Sequence, residues 1–266
     1  MKRIVLAVMA AAALFCTVSC KKAEKKDAVT ALKERGTFVL GLDDSFPPLG
    51  FRNEKDEIVG YDIDLAKEVC RRLGMKFRAQ PIDWAAKEQE LNTEQITCIW
   101  NGFTITEERK SNLAFTKPYL NNAQIVVVKS SSGITRLSDL SGKKLGVQAG
   151  SSAADALDEA EDLKKSLSGI VEFKENITAL NDLEIGGVDG VVMDKVVADY
   201  SIKTTGKPFT ILSEGLSPES YGIAFKKGNE ALRDKVQATL EEMAADGTVA
   251  KISTEWFGSD ISVIGK

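Results

Sequence analysis

Short hydrophobic runs alternate with amphipathic stretches along most of the chain, and this alternation predicts strands followed by helices. The helical pattern is clearest in residues 63–73, where apolar side chains recur at every third or fourth position. We expect Asp62 to cap this helix at its N-terminus and Gly74 to end it. The strand-length runs are residues 38–42, 77–81, 96–100, 125–128, 145–148 and 188–193.

Strands that alternate with helices form parallel sheets with helices on both faces. The sequence therefore predicts an α/β fold in which each sheet is mainly parallel. Residues 229–251 predict one packed helix near the C-terminus, and we expect Trp256 and Phe257 to seal its packing. The apolar face of this helix consists of Leu232, Val236, Leu240 and Met243.

The N-terminus has the pattern of an export signal. Met1-Lys2-Arg3 carries positive charge, and residues 4–15 form an apolar run too short to span a bilayer. Thr17-Val18-Ser19-Cys20 resembles a bacterial lipobox, although Thr17 stands where Leu is usual. We expect residues 1–19 to be a signal peptide and Cys20 to be lipidated. A plain signal peptide with an incidental Cys20 is the alternative.

The predicted lipid implies a protein held at a membrane surface. Residues 20–27 would be the anchor and a charged tether, and the body would stand in the periplasm or at the outer cell surface. We find no later segment long and apolar enough to cross a membrane. The body is long enough to form one large domain or two lobes.

Composition excludes several classes of function. The chain has 35 Lys and Arg against 39 Asp and Glu and no basic patch, so we expect no nucleic-acid partner. It has no histidine, which rules out Ser-His-Asp and Cys-His catalysis and His-containing metal sites. We therefore expect neither metal nor cofactor. Cys70 and Cys98 would be two buried thiols or a disulfide.

Polar residues gather where the predicted strands end. Asp43, residues 101–104, residues 150–152 and Asp194 all follow strand-length runs. In parallel sheets, ligands bind beyond the carboxyl ends of the strands. The guanidinium of Arg109 can hold a carboxylate with a planar fork of donors, and Asp194 can accept from an ammonium. Together they suggest a site for a small zwitterion such as an α-amino acid, in a carrier rather than a catalyst.

Four segments, which follow one another at compatible spacings, give this pattern a family resemblance that covers essentially the whole mature chain. The chain resembles the polar amino-acid-binding proteins of bacterial ABC importers, extracellular solute-binding family 3. The segments are residues 60–69, residues 104–119, residues 142–152 and residues 189–194.

This resemblance implies a two-lobed periplasmic-binding-protein fold of type II and a monomer that delivers its ligand to an ABC permease. Lobe 1 would comprise 28–120 plus 221–266, and lobe 2 would comprise 125–212. Two crossing strands, near 120–124 and 213–220, would form the hinge, and the permease would recognise the closed form.

The resemblance also implies roles for single residues. Arg109 would bind the ligand's α-carboxylate, with backbone donors near Thr104 and Ser152 and the N-terminus of the helix after Ser151. Asp194 would take the α-ammonium, assisted by backbone acceptors near Gly102 and by the Thr104 hydroxyl.

The ligand side chain would lie between two aromatic rings. The resemblance implies that Phe46 and Trp84 sandwich it and that Asp43 meets a polar or cationic end. Arginine, lysine, histidine and glutamine are therefore the favoured ligands. Asn101 stands where the family often has a small hydroxyl residue, so its role in the site is open.

Each of these residues also has an ordinary structural interpretation. Arg109 could form a surface ion pair with a neighbouring glutamate, and Asp194 could be a helix N-cap. Trp84 could be core packing, and Asp43 could cap a turn. At the level of the whole protein, the alternatives are a dehydratase-like enzyme with Asp43 as its acid, and a surface adhesin or sensor lipoprotein.

Overall fold

The structure, a computed structural model, describes residues 36–266; the predicted signal peptide and the tether with Cys20 lie outside this range. The strands are β1 (Thr37–Leu42), β2 (Ser45–Phe46), β3 (Gly50–Arg52), β4 (Ile58–Val59), β5 (Lys76–Pro81), β6 (Cys98–Ile99), β7 (Leu113–Phe115), β8 (Leu120–Lys129), β9 (Lys144–Gln148), β10 (Gly169–Phe173), β11 (Gly190–Asp194), β12 (Phe209–Ile211), β13 (Ser217–Tyr221) and β14 (Ala224–Lys226). The α-helices are α1 (Tyr61–Leu73), α2 (Lys87–Asn92), α3 (Glu107–Asn112), α4 (Ser152–Glu159), α5 (Glu161–Ser166), α6 (Asn176–Ile185), α7 (Lys195–Thr205), α8 (Glu230–Ala245) and α9 (Thr248–Phe257). Short 3₁₀ helices cover Trp84–Ala86 and Leu137–Leu140.

Two large sheets define two lobes. Lobe 1 is built around a five-stranded sheet with the order β5-β1-β6-β14-β7, and lobe 2 around a sheet with the order β10-β9-β11-β8-β12 in which β13 also pairs with β8. A small sheet, β2-β3-β4, lies beside lobe 1. The exact boundaries predicted for the lobes stay predictions.

The expectation of mainly parallel sheets is confirmed, since a single strand, β14 in lobe 1 and β8 in lobe 2, runs against the others in each large sheet. Strands joined through a helix are parallel, as in the β1·β5 and β9·β10 pairs. In contrast, β14 runs antiparallel to β6 and β7, and β8 runs antiparallel to β11 and β12. β8 is a strand by which the chain passes between the lobes, and β14 directly follows the other such strand, β13. No helix separates β8 or β14 from the strand before it, so neither is held to the parallel direction.

Two long strands connect the lobes. β8 and β13 pair antiparallel from Leu120 opposite Tyr221 to Gln124 opposite Ser217. β8 then continues beside β11 in lobe 2, whereas β13 leads directly to β14 in lobe 1. The bottom of any cleft between the lobes is therefore formed by these two strands.

Helix α1 confirms the predicted spacing but not the predicted cap. Its apolar positions are buried, and it ends at Gly74 in the left-handed conformation. Its N-cap is Gly60, with φ of 144°, where a Cβ atom would lie 2.2 Å from the Leu49 carbonyl oxygen. Asp62 is instead the second residue of the helix, where it is fully buried and its Oδ2 accepts hydrogen bonds from Gly102 N and Tyr119 OH.

The single long helix expected at the C-terminus is two helices. α8 ends before Asp246, and Gly247, with φ of 84°, turns the chain into α9. Trp256 and Phe257 are partly buried against the core cluster that contains the apolar face of α8, and their specific contacts are with α1. Trp256 donates to Asp64 on α1 at 2.9 Å, and the Phe257 ring lies 5.0 Å from the Tyr61 ring.

Of the two alternatives for the cysteines of the body, the structure has the free thiols. Cys70 and Cys98 are both buried and unpaired. Burial raises the pKa of Cys70 to about 12, so this thiol is inert at neutral pH.

None of the helices within residues 36–266 combines the length and the apolar character needed to cross a membrane.

Candidate functional site

A cavity lies between the two lobes, above the crossing strands, and it brings together all nine residues that the sequence assigned to the site. Phe103, Gln148 and Ser151 complete its lining. The nine assigned residues are Asp43, Phe46, Trp84, Asn101, Gly102, Thr104, Arg109, Ser152 and Asp194.

Arg109 projects into this cavity from the first turn of α3, whose N-cap is Thr106. Its Nη1 donates to the Thr104 carbonyl at 3.1 Å, and the guanidinium lies 4.6 Å from the centre of the Phe103 ring. Its Nη2 lies 3.4 Å from Asp155 of lobe 2. The alternative of a surface pair with a neighbouring glutamate is not what the structure has, since Glu107 pairs with Lys110.

The guanidinium remains a cation despite its burial. Desolvation lowers the pKa of Arg109, but arginine starts from a pKa far above neutrality and keeps its proton. The Asp155 partner of Arg109 is mostly exposed. The guanidinium can therefore also donate hydrogen bonds to a second anion on its cavity side.

Two hydroxyls and a helix end lie beside Arg109. Thr104 Oγ1 and Ser152 Oγ are 2.9 Å apart across the cleft. Ser152 begins α4, and the N-cap Ser151 accepts a hydrogen bond from Ala154 N at 3.3 Å. The first N–H groups of a helix and its positive dipole end favour an anion at this edge of the cavity.

The acidic residue of the cavity is Asp194. It lies at the carboxyl end of β11 and is only 5% exposed. Its Oδ1 accepts from Tyr221 OH at 2.6 Å, Asn122 Nδ2 at 2.7 Å and Gln124 Nε2 at 2.9 Å. All three donors come from the crossing strands. Burial raises the pKa of Asp194 to about 8, and the nearby Glu219 carboxylate adds to this shift.

The alternative role considered for Asp194, that of a helix N-cap, is met by its position but not by its hydrogen bonds. Asp194 occupies the N-cap position of α7, but its side chain makes no capping hydrogen bond. The Val196 N–H donates instead to Asn122 Oδ1 at 3.2 Å. Because Asn122 caps the helix from the neighbouring strand, the Asp194 carboxylate is available to the cavity.

Asp43 caps a turn, which is one of the two interpretations considered for it, and it also contacts lobe 2 at the cavity. Oδ1 accepts from Ser45 N at 2.8 Å, which is a turn-capping bond. Oδ2 accepts from Gln148 Nε2 of lobe 2 at 2.7 Å. Asn101 supports this carboxylate by accepting from the Asp43 backbone N–H at 3.0 Å. Burial raises the pKa of Asp43 to about 6, so it is largely ionised at neutral pH.

The aromatic residues that line the cavity also pack against neighbouring side chains. Trp84 is 8% exposed and meets Phe103 edge-on, with ring centres 5.8 Å apart. Gly102 leaves room for Phe46, because a Cβ atom on Gly102 would lie 2.9 Å from the Phe46 ring and 2.7 Å from Leu49. Its φ of 59° also favours glycine.

Two residues that join the lobes at the cavity were not found from the sequence. Lys87 is 5% exposed, and its Nζ donates to the Gly150 carbonyl of lobe 2 at 2.8 Å and to the Trp84 carbonyl at 3.1 Å. Burial lowers the pKa of Lys87 to about 8. Gln148 is held between Asp43 and the Lys174 carbonyl. Gln148 ends strand β9, so the argument from strand ends could have found it, whereas Lys87 gives no such signal.

The class of protein follows from this fold and from comparison with known families. Residues 38–259 match the model of the bacterial extracellular solute-binding proteins, family 3, and the chain belongs to this family. The fold is the type II arrangement of two α/β lobes with crossing strands.

Several relatives are similar over nearly their whole length. The L-cystine-binding protein TcyJ of Escherichia coli K12 is 30% identical over 256 residues, which is 95% of this chain and 94% of TcyJ. An ABC uptake transporter substrate-binding protein from Streptococcus pneumoniae, solved with bound histidine, is 34% identical with a TM-score of 0.86, covering 90% of this chain and 99% of its own. Tv2483 bound to L-arginine is 37% identical with a TM-score of 0.85, covering 89% and 97%. The first two of these relatives are named as binding proteins, and the third was solved with an amino acid bound.

Proposed function

We propose that this protein is a receptor that binds one free polar L-amino acid between its lobes and delivers it to an ABC importer. The observation that carries the proposal is that Arg109 and Asp194 line the same cavity. The two side chains are a cation and an acid that becomes its counter-charge on ionising, come from different lobes and are both buried. An α-amino acid presents a carboxylate and an ammonium at a fixed short separation, so it matches both.

Burial makes this pairing selective. A zwitterion that leaves water loses the hydration of both charges, and it binds well only where each charge finds a partner. In this cavity the Thr104 and Ser152 hydroxyls and the α4 N-terminus would add donors to the carboxylate, beside Arg109. A ligand with only one of the two charges would leave either Arg109 or Asp194 without an oppositely charged partner from the ligand.

The far end of the cavity favours a polar or cationic side chain. Asp43 is a buried carboxylate whose donors are neutral groups, Ser45 N and Gln148 Nε2. A cationic or amide side chain can add the further donor that an apolar one lacks. Relatives named for cystine, histidine and arginine binding fit this range, and arginine, lysine, histidine and glutamine remain the favoured ligands.

The finer parts of the proposal concern the setting of the protein. We propose a monomer held at the membrane by a lipid on Cys20, in the periplasm or at the outer cell surface, with an ABC permease as its partner. The family consists of extracellular solute-binding proteins, which supports export of the chain.

A thermal-shift panel tests the proposed function. The purified protein, unfolded and refolded to remove copurified ligand, is heated with each of the twenty amino acids, cystine, ornithine and citrulline. A ligand at a hundred times its Kd adds about 2.7 kcal/mol of stability, which corresponds to roughly 5–11 °C for a body of this size. We expect such a shift with arginine, lysine, histidine or glutamine, whereas a flat panel contradicts the proposal.

A further inference from the structure

A second acidic side chain stands beside Asp194 and belongs to no part of the site described so far. Glu219 lies on β13, one of the two crossing strands. Asn122 Nδ2 donates to Asp194 Oδ1 at 2.7 Å and to Glu219 Oε1 at 2.6 Å. Gln124 Nε2 donates to the same two oxygens, at 2.9 Å each. Each amide therefore bridges the two carboxyl groups.

Two carboxylates held this closely cannot both ionise at low cost. Like charges in a buried site repel, and one proton shared between them removes the repulsion. The amide and hydroxyl donors around the pair, from Asn122, Gln124 and Tyr221, are neutral. The positive charge of Arg109 interacts with both Asp194 and Glu219, but Arg109 also forms an ion pair with Asp155.

The titration of Asp194 agrees with this arrangement. The causes that raise its pKa to about 8 are burial, the charge of Glu219 and a hydrogen bond with Glu219. Its other partners, Tyr221 and Gln124, act in the opposite direction. A protonated Asp194 is therefore stabilised by the hydrogen bond that it donates to the Glu219 carboxyl group.

We propose that Glu219 is a positioning residue of the ammonium subsite: it and Asp194 hold one proton between them, and an incoming α-ammonium displaces that proton. The inference rests on the proposed function, because it needs an amino acid at Asp194. The ammonium supplies the positive charge that the shared proton supplied before, and the proton passes to the solvent. No covalent bond other than this O–H bond changes.

Two consequences follow for binding. Association of a ligand with the protein at neutral pH releases close to one proton into the buffer. Since protons compete with the ligand's ammonium, affinity falls as the pH falls below the pKa of the pair, by up to about tenfold for each pH unit.

The experiment is isothermal titration of the full-length protein with L-arginine, L-histidine and L-cystine in phosphate, HEPES and Tris buffers at about pH 7. The slope of the observed enthalpy against the ionisation enthalpy of the buffer counts the protons released. We expect a slope near one proton per ligand for the wild-type protein and less than half of that for Glu219→Gln. Glu242→Gln, which changes an exposed glutamate on α8, serves as the matched control and should keep the wild-type slope.

Contrary outcomes separate the two proposals. Binding with no buffer dependence in the wild-type protein, or an equal slope in Glu219→Gln, overturns the role of Glu219 and leaves the receptor function standing. Absence of binding by all three probes, together with a flat thermal-shift panel, overturns the receptor function and this inference with it. If Glu219→Gln does not fold, Glu219→Ala takes its place with the same expected slope, and a wild-type slope near zero overturns the role of Glu219 by itself.

Discussion

Replacing Arg109 with alanine is expected to weaken amino-acid binding by at least two to three decades. The ligand's carboxylate would enter a water-poor cavity without its cationic partner. Removing one member of a buried ion pair typically costs about 3–5 kcal/mol, and each 1.4 kcal/mol is about tenfold in Kd. Thr104, Ser152 and the N-terminus of α4 would still donate hydrogen bonds, but they carry no full positive charge.

The measurement is titration calorimetry of Arg109→Ala with the amino acid that gives the largest thermal shift. Arg78→Ala is the matched control, because Arg78 is an exposed arginine on β5 of the same lobe. We expect the control to bind as the wild-type protein does and both variants to keep a cooperative melting transition. Unchanged affinity in Arg109→Ala refutes the assignment of the carboxylate partner.

Changing Asp194 to asparagine is expected to abolish binding at micromolar ligand while leaving the free protein at least as stable. Asparagine keeps the size of the side chain and one oxygen that can accept from Tyr221 and Gln124, but it loses the charge that pairs with the ammonium. The loss in affinity should again be about 3–5 kcal/mol.

The effect on stability has the opposite sign because of where Asp194 lies. Its pKa is raised from 3.8 to about 8 on folding, so the folded protein binds a proton more tightly than the unfolded chain does. The carboxyl group therefore costs stability that grows as the pH rises from about 4 to 8. Asparagine removes this pH-dependent cost.

Melting curves from pH 5 to about pH 8 and ligand titrations test both halves of this prediction. Asp199→Asn, which changes an exposed aspartate on α7, the helix that follows Asp194, is the control. A variant that binds normally would disprove the ammonium role. A variant that fails to fold would show instead that Asp194 holds the crossing strands together.

The sequence predicts much of the fold because its signals are local. The spacing of Ile63, Ala66, Val69 and Leu73 specifies the buried face of α1, and Gly74 supplies the left-handed residue that ends it. The site residues gather for a topological reason, since the strand ends of each lobe face the cleft. Residues far apart in sequence, such as Asp43 and Asp194, therefore line one cavity.

What the sequence does not predict depends on contacts between distant segments. Aspartate is a residue type typical of N-caps, but tertiary packing buries Asp62, which accepts hydrogen bonds from Gly102 and Tyr119. The sequence predicts an exposed position for Lys87, but its contact with the Gly150 carbonyl of lobe 2 buries it. Glu219 becomes part of a carboxyl pair only when the crossing strands align in register.

The central claim is that the cavity recognises the two charges of a free amino acid. Titration calorimetry of the amino acid identified by the panel, beside its α-amide and its N-acetyl derivative, tests this claim most directly, because each derivative removes one charge and keeps the side chain. We expect both derivatives to bind at least about a hundredfold more weakly than the parent, a loss of about 2.7 kcal/mol or more. A derivative that binds as tightly as the free amino acid would contradict the zwitterion site.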